Sequence, residues 1–133
     1  MTKLYDPFRR IQVSPTPEEI VRQKLLQTLV DQGYPKHLIA VEKQVGAGRR
    51  ADIICYGNSS GTLSILLMIE CKAVPLTQDV IDQVTGYNHY IGAPFVAIAN
   101  SETVRTGWRE KDRYIFQEGI PTYEQLCRIL KKI

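Results

Sequence analysis

The sequence predicts an α/β domain in which a central mixed β-sheet is flanked by helices. Three observations indicate this class: a helix with clear end signals precedes three β-type runs, a second amphipathic helix follows them, and a short apolar run comes next. Short connections favour antiparallel hairpins, whereas a helix between two strands favours a parallel crossover. The sheet should therefore contain both kinds of strand pair.

The first helix is signalled at both of its ends. Thr16 is an N-cap candidate, Pro17 occupies the first helical position, and Glu19 follows the threonine at the spacing of a capping box. Gly33 supplies the stop. Residues 1–15 show no periodicity, so we expect an irregular N-terminal arm ahead of this helix.

Three β-type runs follow the first helix, over residues 39–45, 51–56 and 63–73. Short glycine-containing connections separate them, so we expect consecutive hairpins. In the third run, apolar residues occupy the positions that face each side of the sheet, and charged residues follow at its end. That pattern is typical of a central strand whose two faces are both covered.

The second half of the chain predicts two further helices and at least one more strand. These segments are an amphipathic helix over 77–91, a buried strand over 95–99 and a closing helix over 122–133. Thr122 and Gln125 form a second capping-box pattern, at the start of the closing helix. Residues 104–117 are ambiguous, with a hairpin that turns at 110–112 as one interpretation.

Length and composition indicate one globular unit. The chain has 133 residues, enough for a single hydrophobic core, so we expect one domain over residues 1–133. No apolar run is long enough to span a bilayer and no signal-peptide pattern is visible, which favours a cytoplasmic protein without a membrane partner. Three cysteines without metal-type spacing favour reduced thiols. The net charge of +3 is only a weak indication of an acidic partner such as nucleic acid.

Charged side chains stand where the third β-type run ends. Glu70 and Lys72 lie two residues apart on one strand, so they should share a face with Leu66 and Met68. Charges on such a face are costly unless they pair, reach solvent or serve a bound cation. An isolated Glu-X-Lys triplet is most often the solvated end of a strand.

Asp52, in the preceding run, gives this triplet a partner. A short connection would place the two strands side by side, so that Asp52 and Glu70 could hold one hard cation with Lys72 near the attacking water. Magnesium prefers one or two carboxylates together with waters and substrate phosphate oxygens. The alternative for Asp52 is a salt bridge to Arg50, two residues away on the same face.

Together, these elements resemble the PD-(D/E)XK nuclease superfamily. The resemblance is carried by Asp52, by the triplet Glu70-Cys71-Lys72 and by the order helix, three strands, helix, strand. Segments 16–23 and 83–87 are similar, in addition, to the N-terminal nuclease domain of type I restriction enzyme R subunits. In that family a glutamine and a tyrosine four residues apart lie beside the active site. The resemblance implies a restriction-endonuclease-like three-layer core and a metal-dependent DNA endonuclease.

The resemblance also implies a role for each candidate residue. The cation, Mg²⁺ or Mn²⁺, would be held by Asp52, Glu70 and the backbone carbonyl of Cys71. The catalytic set would comprise Asp52, Glu70, Lys72, Gln83 and Glu19, and the substrate would be held by Tyr87, Lys43, Arg49 and Arg50. A capping box explains Glu19 equally well, and a core position explains Tyr87 equally well.

The same resemblance bears on partners. The R subunits of that family carry an ATP-driven translocase after this domain, whereas nothing in these 133 residues resembles a phosphate-binding loop. We therefore expect DNA as a partner, together with a second copy of the chain or with separate restriction and translocase subunits. A non-catalytic module that binds nucleic acid or protein on the same fold is the alternative from another class, and a junction-resolving nuclease is the alternative within the nuclease class.

Overall fold

The computed structural model describes residues 2–44, 48, 50–59 and 61–131 of the chain. The elements are the strands β1 (Leu4–Asp6), β2 (Ile11–Val13), β3 (Ile39–Gln44), β4 (Arg50–Ser59), β5 (Thr62–Cys71), β6 (Phe95–Ala99), β7 (Val104–Glu110) and β8 (Arg113–Glu118), and the helices α1 (Pro17–Asp31), α2 (Gln78–Ile91) and α3 (Tyr123–Leu130). A 3₁₀ turn, Lys36–Leu38, leads into β3. The last residue of the predicted first run, Val45, and the last two of the closing helix lie outside the described residues.

Six of these strands form one mixed sheet in the order β3-β4-β5-β6-β7-β8. Strands β5 and β6 pair in parallel across the α2 crossover, and the other neighbours pair antiparallel. The predicted hairpins β3-β4-β5 and the predicted parallel pair are therefore confirmed. The ambiguous stretch 104–117 is a hairpin, β7 and β8, that turns at Lys111 and Asp112.

Helices cover both faces of this sheet. Leu26 of α1 and Leu126 of α3 pack in one apolar cluster, whereas Ile81 and Val84 of α2 pack in a second cluster. Residues Leu66–Ile69 of β5, between the two layers, are each 1% exposed or less, which confirms a central strand covered on both faces. The result is the predicted three-layer α/β core. Within the described residues, none of the helices has the length and apolar character needed to cross a membrane.

The predicted helix caps are present, with one exception. Thr122 accepts from the Gln125 backbone N–H, and the Gln125 side chain accepts from the Thr122 backbone N–H, so α3 has a complete capping box. In α1, Thr16 accepts from the Glu19 backbone N–H, but the Glu19 carboxylate does not return the bond. The capping box predicted there is therefore only half formed, because the carboxylate is hydrogen-bonded to arginines, including Arg22.

The prediction of an irregular arm over residues 1–15 was wrong. Strands β1 and β2 form a small antiparallel hairpin. The buried Asp6 carboxylate closes its turn, since it accepts from the backbone N–H groups of Phe8 at 2.7 Å and Arg9 at 3.2 Å and also pairs with the Arg9 guanidinium. Strands of three residues are too short to show an alternating pattern, so sequence periodicity does not reveal them.

The prediction that Leu66 shares a face with Met68 was also wrong. The pairing of β4 with β5 shifts register between Cys55 and Tyr56, which leaves Leu66 as the extra residue of a β-bulge. Leu66 consequently packs on the α1 side of the sheet, while Met68 packs on the α2 side. A bulge interrupts the twofold alternation on which the prediction depended.

Candidate active site

The charged end of β5 lies beside Asp52 of β4. The backbone N–H of Cys71 donates to Asp52 Oδ2 at 2.7 Å, so β5 itself fixes one carboxylate oxygen. The Asp52 carboxylate is a direct neighbour of Glu70, and the Lys72 ammonium acts on Glu70 as well. The structure thus brings Asp52, Glu70 and Lys72 together at one end of the central strands, as their positions in the sequence predicted.

Glu70 occupies an environment that disfavours its negative charge. Burial raises the pKa of Glu70 to about 8, with the Asp52 carboxylate acting in the same direction and the Lys72 ammonium against it. The Oε1 atom of Glu70 is buried and has no hydrogen-bond partner among the described residues. Two adjacent carboxylates with a buried unsatisfied oxygen form an arrangement that a cation would stabilise.

A cavity of about 490 Å³ opens over Glu70 and Lys72, with α2 as its opposite wall. The side chains that line it are Arg50, Glu70, Lys72, Gln83, Val84 and Tyr87. Buried Val84 anchors α2 to the sheet and leaves Gln83 exposed toward the cavity, with Tyr87 one turn further along the helix. Tyr87 also packs against the apolar cluster beneath α2, so the two interpretations of this residue are compatible.

The salt bridge considered for Asp52 and Arg50 does not form. Asp52 Oδ1 instead accepts from Arg22 Nη2 at 2.9 Å, while Arg50 lies 3.6 Å from Glu42 Oε2 and its side chain is 66% exposed. The sequence-based interpretation missed Arg22, although one signal was present. Arg22 stands on the buried stripe of α1, three residues before Leu25 and four before Leu26, where a charged side chain needs a partner.

Glu19 belongs to the same group of charges. Its buried carboxylate accepts through Oε1 from Arg9 at 2.8 Å and from Arg22 at 2.9 Å. Arg22 therefore stands between Glu19 and Asp52. The sequence did not predict this arrangement, because the two interpretations of Glu19 were a helix cap and a place in the catalytic set. A catalytic role for Glu19 stays a prediction.

The remaining candidates are distributed around this site. Lys43 is exposed on β3 and pairs in register with Ala51, and Arg49 lies outside the described residues. The Cys71 thiol is buried on the α1 side of the sheet, so only its backbone faces Asp52. Over the described ranges, no three His, Cys, Asp or Glu side chains form a metal-binding group, so a cation here would depend on two carboxylates with backbone, water or substrate oxygens.

These features define a three-layer α/β domain with paired carboxylates and a lysine at the end of its central strands, facing a glutamine on the covering helix. Residues 17–121 match the family model of the type I restriction enzyme R protein N terminus, and the chain belongs to that family. The matched residues run from α1 to β8 and include the whole candidate site. Searches of curated proteins and of solved structures found no match.

Proposed function

We propose that this chain is a metal-dependent DNA endonuclease of the PD-(D/E)XK type. The observation that carries the proposal is the buried Glu70 Oε1, which has no hydrogen-bond partner among the described residues and belongs to a carboxyl group beside Asp52. Glu70 lines a cavity together with Lys72 and Gln83. Membership in the type I restriction enzyme R protein family supports the same conclusion, because restriction enzymes cut DNA.

The residues present fit Mg²⁺ or Mn²⁺. Asp52 Oδ1 accepts from Arg22 and Oδ2 from the Cys71 backbone N–H, and a carboxylate oxygen that accepts one such bond keeps a further lone pair. Among the described residues, Glu70 Oε1 accepts no hydrogen bond. Such oxygen donors suit hard divalent cations. Asp52, Glu70 and the backbone carbonyl of Cys71 would hold the cation, which when bound supplies an acidified water and neutralises charge on the phosphate.

The side chains of the cavity account for the rest of the proposed chemistry. The Lys72 ammonium orients the attacking water and offsets the charge that develops on the phosphoryl oxygens. The Gln83 amide and the Tyr87 phenol stand one turn apart on α2, where they can donate to a phosphate oxygen or hold Lys72 in place. Arg50, exposed at the cavity, and Lys43, exposed on β3, bind the DNA backbone without reading sequence.

The proposal includes partners. DNA is the substrate, and the family supports an association with other restriction subunits, which supply translocation. A second copy of the chain is the alternative assembly, since two sites allow both strands of a duplex to be cut.

The test is cleavage of supercoiled plasmid with Mg²⁺ or Mn²⁺, with EDTA, and with the variant Lys72→Ala. We expect metal-dependent nicking that Lys72→Ala reduces by roughly 10²- to 10⁴-fold. Lys24→Ala, which removes an exposed lysine of α1, is the matched control and should nick like the wild type.

Three other outcomes have definite meanings. Equal nicking by wild type and Lys72→Ala would refute the assignment of the site. No cleavage of duplex, single-stranded or branched DNA by the folded protein would refute a nuclease that acts without other subunits. Retention of DNA that depends on salt but not on metal would then indicate a binding module. Strong preference for branched over linear duplex would instead identify a junction-resolving nuclease.

A further inference from the structure

Arg22 joins three carboxylates that come from three different elements. Its Nη2 donates to Asp52 of β4 at 2.9 Å and lies 3.2 Å from Glu42 Oε1 of β3, and its Nη1 donates to Glu19 of α1 at 2.9 Å. The side chain of Arg22 is only 7% exposed. Of these carboxylates, Asp52 is the one proposed to hold the cation, so Arg22 connects the proposed cation site to α1 and to the edge strand β3.

Asp52 is held from two sides. Arg22 binds one oxygen, Oδ1, and the Cys71 backbone N–H binds the other, Oδ2. Two hydrogen bonds to different oxygens fix both the position and the rotation of a carboxylate. In this orientation the carboxylate is the neighbour that acts on Glu70.

The backbone of Glu42 is strained at the point where it meets Arg22. Glu42 has φ +53°, the left-handed region, although it lies within β3 opposite the site strand β4. A left-handed glutamate in a strand costs free energy, so the surrounding contacts must hold it in place. Its carboxylate contacts Arg22 and lies 3.6 Å from Arg50.

Stability alone is a weak explanation for this cluster. Buried ion pairs are often no more stabilising than apolar side chains of similar size, because desolvation offsets their attraction. Arg22 Nε is, in addition, buried without a hydrogen-bond partner among the described residues. The cluster contains a strained backbone and an unsatisfied donor, and it contacts the site aspartate, Asp52. These features point to a role in the geometry of the site.

We propose that Arg22 is a positioning residue, which holds the Asp52 carboxylate against Glu70 while Glu19 and Glu42 hold Arg22 in turn. Its meaning for catalysis rests on the proposed function, but the positioning itself exists without metal or DNA. Positioning and a simple charge effect predict opposite changes in the affinity for a metal ion when Arg22 is lost. Arg22 is a cation, so by Coulomb's law its removal favours a metal ion nearby, whereas loss of positioning weakens metal binding.

The decisive variant is Arg22→Lys, because it keeps the charge and removes the planar two-armed contact. Its matched control is Arg105→Lys, which alters the exposed ion pair between Arg105 of β7 and Glu118 of β8. This pair lies at the other end of the sheet from β3 and β4. Mn²⁺ binding to the protein without DNA is measured by electron paramagnetic resonance of the free ion. We expect Arg22→Lys to bind Mn²⁺ about 10- to 100-fold more weakly, and Arg105→Lys to bind it as the wild type does.

A second readout needs neither metal nor activity. The Cys71 amide proton, bonded to Asp52 Oδ2, reports the position of that carboxylate in a ¹⁵N-resolved NMR spectrum. We expect it to move upfield and to exchange faster with solvent in Arg22→Lys. The next amide, that of Lys72, donates to the Ala99 carbonyl at 2.8 Å and should not change, which provides an internal control.

The outcomes separate the two proposals. A shifted Cys71 amide signal together with weaker Mn²⁺ binding in Arg22→Lys supports both the positioning role and the metal-dependent function. If the amide signal shifts but the wild type binds no Mn²⁺, the positioning role is supported and the metal-dependent function is refuted. An unchanged Cys71 amide in folded Arg22→Lys overturns the positioning role, whatever the metal does. If Arg22→Lys does not fold, Glu42→Gln, which weakens the hold on Arg22 without touching Asp52, must shift the same amide, and an unchanged amide again overturns the proposal.

Discussion

Replacement of Glu70 by glutamine should stabilise the metal-free protein at alkaline pH while removing the proposed activity. Burial raises the pKa of Glu70 to about 8, from an ordinary value of 4.5. An acid whose pKa is raised by folding binds more protons in the native state, so the wild type loses stability as pH rises from about 4.5 to about 8. Glutamine carries no charge and escapes this loss.

The magnitude follows from the same shift. Each pH unit corresponds to about 1.4 kcal/mol, so a rise from 4.5 to about 8 is worth roughly 5 kcal/mol in total. About 4 kcal/mol of this falls between pH 5 and pH 9, because the carboxyl of the unfolded chain is already mostly ionised at pH 5. In EDTA, Glu70→Gln should therefore gain stability over the wild type by roughly that amount between pH 5 and pH 9. Added Mg²⁺ should favour the wild type instead, because ligand binding to the native state stabilises it.

The assay is urea unfolding followed by fluorescence of Trp108, the single tryptophan, which packs edge-on against Phe95. Unfolding free energies are compared at pH 5, 7 and 9. Glu124→Gln, at an exposed position of α3, is the control and should show no comparable gain. If the difference in unfolding free energy between wild type and Glu70→Gln does not change with pH, burial does not disfavour the charge of Glu70 and the reasoning is refuted.

Two further predictions concern the scaffold. Burial alone would raise the pKa of Asp6, but hydrogen bonds from Arg9 and from the backbone of Phe8 outweigh it, so the pKa lies below its ordinary 3.8. Asp6→Asn should consequently destabilise the protein by roughly 1–3 kcal/mol at pH 7. Because the stabilising charge is lost as Asp6 is protonated, the difference in unfolding free energy between wild type and variant should close below about pH 3.8. A difference that stays constant in acid would exclude a charge effect. Gly107→Ala should lower the midpoint of thermal unfolding, because its Cβ would lie 2.6 Å from the Phe116 ring. A cost of about 1–3 kcal/mol is expected, and an unchanged midpoint by circular dichroism would show that the ring moves freely.

Much of the fold could be predicted because its signals are local. Caps such as Thr16 and Thr122 act within one helical turn, and apolar periodicity distinguishes helix from strand without knowledge of neighbours. The pairing of Asp52 with Glu70 was also accessible, since a short connection between two strands leaves few ways to place them. The N-terminal hairpin and the bulge at Leu66 were not, because neither leaves a periodic trace.

The candidate site shows the same division. The sequence by itself determined that an aspartate and a Glu-X-Lys triplet stand on adjacent strands, with Gln83 on the helix that follows. Only the tertiary structure decided that Arg22, thirty residues away in the chain, is the partner of Asp52, and that Glu19 binds arginines rather than capping its helix. The physical reason is that a buried charge takes the nearest opposite charge in space, and packing of α1 against the sheet, which no local pattern specifies, sets that distance.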